Sequence, residues 1–215
     1  MEIYTNKFHS GHLYLRLGEA EELSRDRFDR LIAEHGKPLQ TAVPSNDAEK
    51  IRLLKDCGFI LKRRCFETEA GRDDLLLPLP AAPVRIVEAR SGTREYVACA
   101  RRLYEYYRLT HEGVNPLTAS CEEFETALPE LALFSGGTGA FVEDNEIAYL
   151  YCRSTRSFPD FAGALLKYLF ARYDRVFFEA DDTDPAATAL RAMFRVSDGA
   201  SFDTYVKPIR RGQEA

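Results

Sequence analysis

Ser45–Phe59 reads SNDAEKIRLLKDCGF, and Asp184–Val196 reads DPAATALRAMFRV. Each is a short helix with a polar cap in front and a strand behind. Aspartate at the N-cap with proline at the first helical position, as in Asp184-Pro185, is a helix start. Asn46 with Glu49 reads as a capping box for the earlier helix. Working outward, the segments that lead into the two helices agree in order. Ahead of the first come a hairpin from about Glu2 to Leu17, turning at Ser10-Gly11, and the helix SRDRFDRLIAEHG, which Ser24 can cap and Gly36 can stop. The strand KPLQTAV follows, and after the helix FILKRRCFETE closes the block as one strand or a pair.

From Gly139 the same order returns. The hairpin GAFVEDNEIAYLYC turns at Asp144-Asn145, and the helix FPDFAGALLKYLFARY, the strand RVFFEA, the capped helix and the strand SFDTYV follow. One offset of 137 residues carries Asp47 onto Asp184, Tyr14 onto Tyr151, Leu39 onto Val176 and Leu53 onto Leu190. Element order and caps, more than identities, argue for a repeat. Two unrelated α/β stretches that happen to agree are the alternative.

Between the blocks, AGRDDLLLPLPAAP (70–83) holds three prolines, which exclude a regular helix or a central strand. Its leucines point to a linker packed on the surface. The strand VRIVEA comes next, then a long helix, TREYVACARRLYEYYRLTHEG, with Val97, Ala100, Leu103, Tyr104 and Tyr107 along one stripe. A shorter helix, CEEFETALPE, and the strand LALFS complete this part. The expected organisation is a half-domain over 1–69, a linker over 70–83, a whole domain over 84–209 and a tail over 210–215.

Composition narrows the function. The 215 residues carry a net charge of −5, which leaves no electrostatic footprint for nucleic acid. No apolar run is long enough to span a membrane, and the N-terminus is too polar for a signal peptide. Five scattered cysteines without a Cys-x-x-Cys pair read as reduced thiols of a cytoplasmic protein, and the four histidines lack metal-ligand spacing.

The two capped helices resemble the closing helix of the GCN5-related N-acetyltransferase (GNAT) fold, whose segment runs Asn-x-x-Ala-x-x-Leu-Tyr-x-x-Leu-Gly-Phe. Asp184, Ala187, Leu190, Arg191, Phe194, Arg195 and Val196 stand at those places in the second copy. Asp47, Lys50, Leu53, Leu54, Cys57, Gly58 and Phe59 stand there in the first. The resemblance implies an α/β (α+β) fold: a mixed, splayed β-sheet flanked by helices, preceded by a degenerate half-copy in tandem. It implies transfer of acetyl from acetyl-CoA, as cosubstrate, to a primary amine of a small molecule. The expected partners are that amine and, as an option left open, a second copy in a homodimer.

The same resemblance assigns residues. The backbone of Leu150, Tyr151, Cys152 and Arg153 would pair with the pantetheine arm like an added strand. Arg156, Ala162, Gly163 and Asp184 would complete the cofactor site, although the residues around Asp184 favour a plain N-cap. The chain departs from the family where Asp160 takes the place of a loop glycine, Pro159 removes an amide donor, and Arg191 replaces the tyrosine acid. Tyr151, sharing a face with Tyr149, is then the candidate proton donor, against a reading as core. Glu179, at the end of RVFFEA, is the candidate general base, against a reading as a solvated acidic loop with Asp181 and Asp182. Tyr107 and His111, with Tyr104 and Tyr106, resemble an acceptor-side wall, and Asp181 would attract a cationic substrate. A non-catalytic binding or dimerisation module is the competing class.

Overall fold

A computed structural model describes residues 1–18, 23–80, 84–195 and 199–209. In chain order the elements are β1 (Glu2–Tyr4), β2 (Leu13–Arg16), α1 (Arg25–His35), β3 (Leu39–Pro44), α2 (Ala48–Asp56), β4 (Ile60–Gly71), β5 (Val87–Arg90), α3 (Arg94–His111), α4 (Cys121–Glu125), β6 (Leu131–Ser135), β7 (Thr138–Glu143), β8 (Glu146–Cys152), α5 (Phe158–Phe170), β9 (Arg175–Asp181), α6 (Pro185–Arg191) and β10 (Ser201–Lys207). The expected elements all form, and FILKRRCFETE makes one long strand. Among the described residues no helix is long and apolar enough to cross a membrane.

Contacts divide the chain into two interleaved units. The first holds Met1–Cys65, His111–Ala119 and Ala200–Ala215, and the second holds Phe66–Thr110 and Ser120–Gly199. The division therefore falls inside β4 instead of across the proline-rich stretch, and β10 belongs with the first unit. The expected tail, 210–215, lies outside the described residues.

In the first unit the strand order is β1-β2-β3-β10-β4, with β2 parallel and β10 antiparallel to β3. Ser24 caps α1 by accepting from the Arg27 amide, and Gly36 ends it in the left-handed region at φ 62°. The helix buries Phe28, Leu31 and Ile32 in a core shared with Leu13, Leu39, Val43 and Tyr205. The α2 cap is Asp47, whose side chain accepts from the Lys50 amide. The expected Asn46–Glu49 box is displaced by this one-residue shift. Asp203 on β10 is held by Arg64 at 2.6 and 2.9 Å and by the Ser45 hydroxyl at 2.7 Å.

In the second unit the order is β4-β9-β8-β7-β6-β5, and the sheet carries helices on both faces. Tyr96 of α3 packs edge-on to Phe141, 5.3 Å between ring centres. The alternate residues Ala140, Val142 and Leu150 join Phe161, Leu165, Leu166 and Leu190 of α5 and α6 in the main core. The proline-rich stretch is tied down at two places in its described part. The Leu76 amide donates to the Met193 carbonyl at 2.9 Å, and Pro80 lies over Gly163, where an added Cβ would stand 2.8 Å from the Pro80 ring.

Candidate functional site

The second unit's sheet parts between β8 and β9. Along one edge β8 pairs with β7 from Glu143↔Glu146 to Thr138↔Cys152, and a register shift between Phe141 and Val142 leaves Ala148 as an extra residue. Such a bulge bends the strand that carries it. Along the other edge β8 pairs in parallel with β9 at Glu146↔Phe177 and Ile147↔Phe178. Beyond that pair, among the described residues, Ala148–Cys152 and Glu179–Asp181 share no ladder. The split opens towards the carboxyl ends of both strands, where α/β sheets gather ligands. It leaves a run of β8 main-chain groups facing an opening.

Tyr106 of α3 stands at the mouth of the split. Its hydroxyl donates to Asp184 Oδ1 at 2.5 Å and accepts from the Ala186 amide at 3.2 Å. The same hydroxyl faces the thiol of Cys152, the last residue of β8. Asp184 is the N-cap of α6, accepting from the Ala186 and Ala187 amides at 2.8 and 3.2 Å. Burial pushes its carboxyl above the ordinary value, ahead of the hydrogen bonds that pull it down. Burial, then the Asp184 charge, pushes the Tyr106 phenol up, so it stays protonated throughout the neutral range. The clue to Tyr106 in the sequence is that it is a phenol lying off the apolar stripe of its helix.

Tyr149 and Tyr151 do share a face, the one that takes α3. Tyr149 lies 6.2 Å from Tyr107 and 6.0 Å from Phe124, ring centre to ring centre. Its phenol is raised by burial first and then by the charges of Glu179 and Glu146. The structure therefore brings together Tyr149 and Tyr107, with the Glu179 charge within electrostatic reach of Tyr149. Glu179 is exposed on β9, and Asp181 ends that strand, its carbonyl accepting from the Asp184 amide at 3.0 Å.

Tyr151 is placed otherwise. It is 2% exposed, and its hydroxyl lies over Gly139 on the β7 side, away from β9. Cys99 and Arg102 are its polar neighbours there. This position corrects its expected place in the opening, because pairing of Tyr151 with Gly139 gives the ring the space a side chain would fill. Ala162 and Gly163 are likewise not in the loop before α5. The helix begins at Phe158, so both lie buried in its second turn with their amides inside the helix. Arg153 and Arg156 are exposed in the intervening loop, and the Arg153 amide donates to the Gly137 carbonyl at 3.1 Å. Arg191, at the place of the family's tyrosine, lies over the Phe66 ring at 4.1 Å.

His111 belongs to the first unit. There its Nε2 accepts from Arg63 Nη1 at 3.1 Å and its ring stacks on His9 at 5.7 Å. Burial holds His9 below the ordinary imidazole value.

No family model and no curated protein matches the sequence. Solved structures do match in fold. A GCN5-related N-acetyltransferase from Sphaerobacter thermophilus is 13% identical with a TM-score of 0.52, covering 82% of this chain and 61% of its own. Another from Kribbella flavida is 12% identical at 0.52, covering 96% and 84%. A conserved protein of unknown function from Staphylococcus epidermidis is 12% identical at 0.53, covering 94% and 87%. The chain thus spans about three fifths of the first of these. It has the mixed, helix-flanked sheet of GCN5-related acetyltransferases.

Proposed function

We propose that the protein is an acetyl-CoA-dependent N-acetyltransferase acting on a primary amine of a small molecule. The observation that carries this reading is the split between β8 and β9. Unladdered main-chain groups over Ala148–Cys152 can receive an extended, amide-bearing arm as if it were another strand. The exposed guanidinium groups of Arg153 and Arg156 supply positive charge for a diphosphate. The first turn of α5 adds its amides, less the one Pro159 removes, while Asp160 opposes them. When bound, acetyl-CoA would supply an acyl group already activated as a thioester.

The chain's own contribution is a proton acceptor. Glu179, exposed beside Tyr149, takes a proton from the substrate ammonium and leaves a free amine to form the new C–N bond. The proton that the nitrogen then sheds balances the one taken up by the departing sulfur. Tyr149, Tyr107 and Phe124 would wall the acceptor's apolar side. The acidic strand end at Glu179 and Asp181 favours a cationic acceptor. The reading extends to the first block, which we take as a degenerate half-copy over 1–69. Its support is that β2, α1, β3 and α2 repeat the order of β8, α5, β9 and α6, each second helix being capped by its aspartate. Three of β2's four residues ladder with β3, so that copy has no comparable split. We place the protein in the cytoplasm, on its reduced thiols.

Calorimetry with acetyl-CoA and with CoA is the test. Heat of binding is expected, together with a Glu179→Gln variant that binds acetyl-CoA normally and turns over about 10²-fold more slowly. A non-catalytic module is the second reading, favoured by the burial of Tyr151 and by Arg191. Binding without turnover at any amine would select it, and absence of heat at millimolar ligand would end the transferase reading.

A further inference from the structure

The mouth of the split is bridged. Tyr106 comes from α3, and its hydroxyl meets both boundaries of the opening: Cys152 where β8 ends, and Asp184 where α6 begins. The ring also packs into the core beneath α5 and α6, with Leu150 and Ala186 among that core's members. Three interactions therefore converge on one phenolic oxygen: the donation to Asp184, the acceptance from Ala186, and the contact with the thiol. Hydrogen bonds to a carboxylate are among the stronger ones a side chain makes. An extended arm running along Ala148–Cys152 towards the start of α6 would meet this hydroxyl, which is bonded there to Asp184 and the Ala186 amide.

We propose that Tyr106 is the gate of the split: its bond to Asp184 latches the mouth shut, and a thioester-bearing arm enters only as the phenol leaves. The inference rests on the transferase reading for the nature of the ligand, but the latch itself is a property of the free protein. Entry of the arm exchanges one set of partners for another. Asp184 and the Ala186 amide lose the phenol and become available to the polar groups of the arm. Part of the ligand's binding energy is spent on opening, so the observed affinity is lower than the open site would give.

The experiment uses the full chain. Wild type, Tyr106→Phe and Tyr106→Ala are titrated with acetyl-CoA by calorimetry. In parallel, the hydroxyl proton of Tyr106 is followed by NMR in tyrosine-labelled wild type and assigned by its absence in Tyr106→Phe. Loss of one hydrogen bond to a charged group predicts about tenfold tighter binding by Tyr106→Phe than by wild type. The hydroxyl resonance, shielded from exchange in the free protein, should disappear as wild type saturates with acetyl-CoA. If acetyl-CoA binds wild type while that resonance persists, or Tyr106→Phe binds no tighter, the gate is wrong and the transferase reading stands. Heat from none of the three proteins overturns both. Binding that appears or strengthens when the hydroxyl is removed supports both. The loss of the resonance on saturation is measured in wild type itself, and for that readout Tyr106→Phe serves only to assign it.

Discussion

Asp47 and Asp184 hold the same position 137 residues apart, and each caps a helix, yet their charges act in opposite senses. The Lys50 amide, and then the Lys50 side chain, hold the Asp47 carboxyl below its reference value of 3.8. Its contribution is present above pH 3.8 and is lost as pH falls through its lower folded value. Asp184 is raised above the same reference by burial, so its contribution is full below pH 3.8 and is lost as pH rises through its higher folded value. Asparagine can cap in either place. Asp184→Asn should therefore raise stability at neutral pH, with the gain vanishing as pH falls to the reference value of 3.8. Asp47→Asn should lower it at neutral pH. Urea unfolding of both variants at the two pH values checks the pair of signs, and matching signs would remove burial as the cause.

At the scale of elements, the sheet's opening depends on one residue too many in β8. The bulge at Ala148 bends the strand, and the neighbouring register sets Tyr151 against Gly139. A Cβ at Gly139 would stand 2.5 Å from the Tyr151 hydroxyl and 2.6 Å from its ring. Gly139→Ala should cost about 1–3 kcal/mol through overpacking. Combined with Tyr151→Ala it should cost less than the two losses added, since the second change vacates the space. Thermal melting of the single and double variants measures this.

Every strand and helix of the fold is legible in the sequence, because caps such as Ser24 and stops such as Gly36 are local chemistry. The split is not. EIAYLYC has the same alternation with or without an extra residue, and only the partner strand reveals the bulge. Tyr149 and Tyr151 are correctly read onto one face, but which of them borders the opening depends on a glycine in another strand. The helix FPDFAGALLKYLFARY is read from its true start at Phe158, and placing Ala162 and Gly163 in the cofactor loop by the Leu165-Leu166 pair conflicts with that start. Pro159, in the helix's first turn, is the residue that marks the true start. Tyr106 is read only into the acceptor-side wall, and its bond to Asp184 escapes because that partner is 78 residues away and already explained by its capping role.

Across the molecule, sequence order and compact units disagree. The strand after α2 continues into the second unit, and the strand after α6 lies beside β3 in the first. Residues 84–215 expressed alone would lack Ala70, which is fully buried in the second unit's core, and the Phe66 that packs against it. They would carry β10 without β3, its antiparallel partner in six register pairs from Leu39 to Pro44. That fragment should lack a cooperative thermal transition by circular dichroism; a sharp one at the full chain's melting temperature would refute this.

The placement of β10 also bears on biosynthesis. One side of β3 stays bare until β10 has been made, about 160 residues after Pro44. At roughly 5–20 residues per second, translation holds that naked strand edge for about 10–30 s. During this interval it can recruit any other extended polypeptide. Faster elongation or a bound chaperone would therefore raise the yield of native protein, while a stall just upstream of Ser201 would favour aggregation.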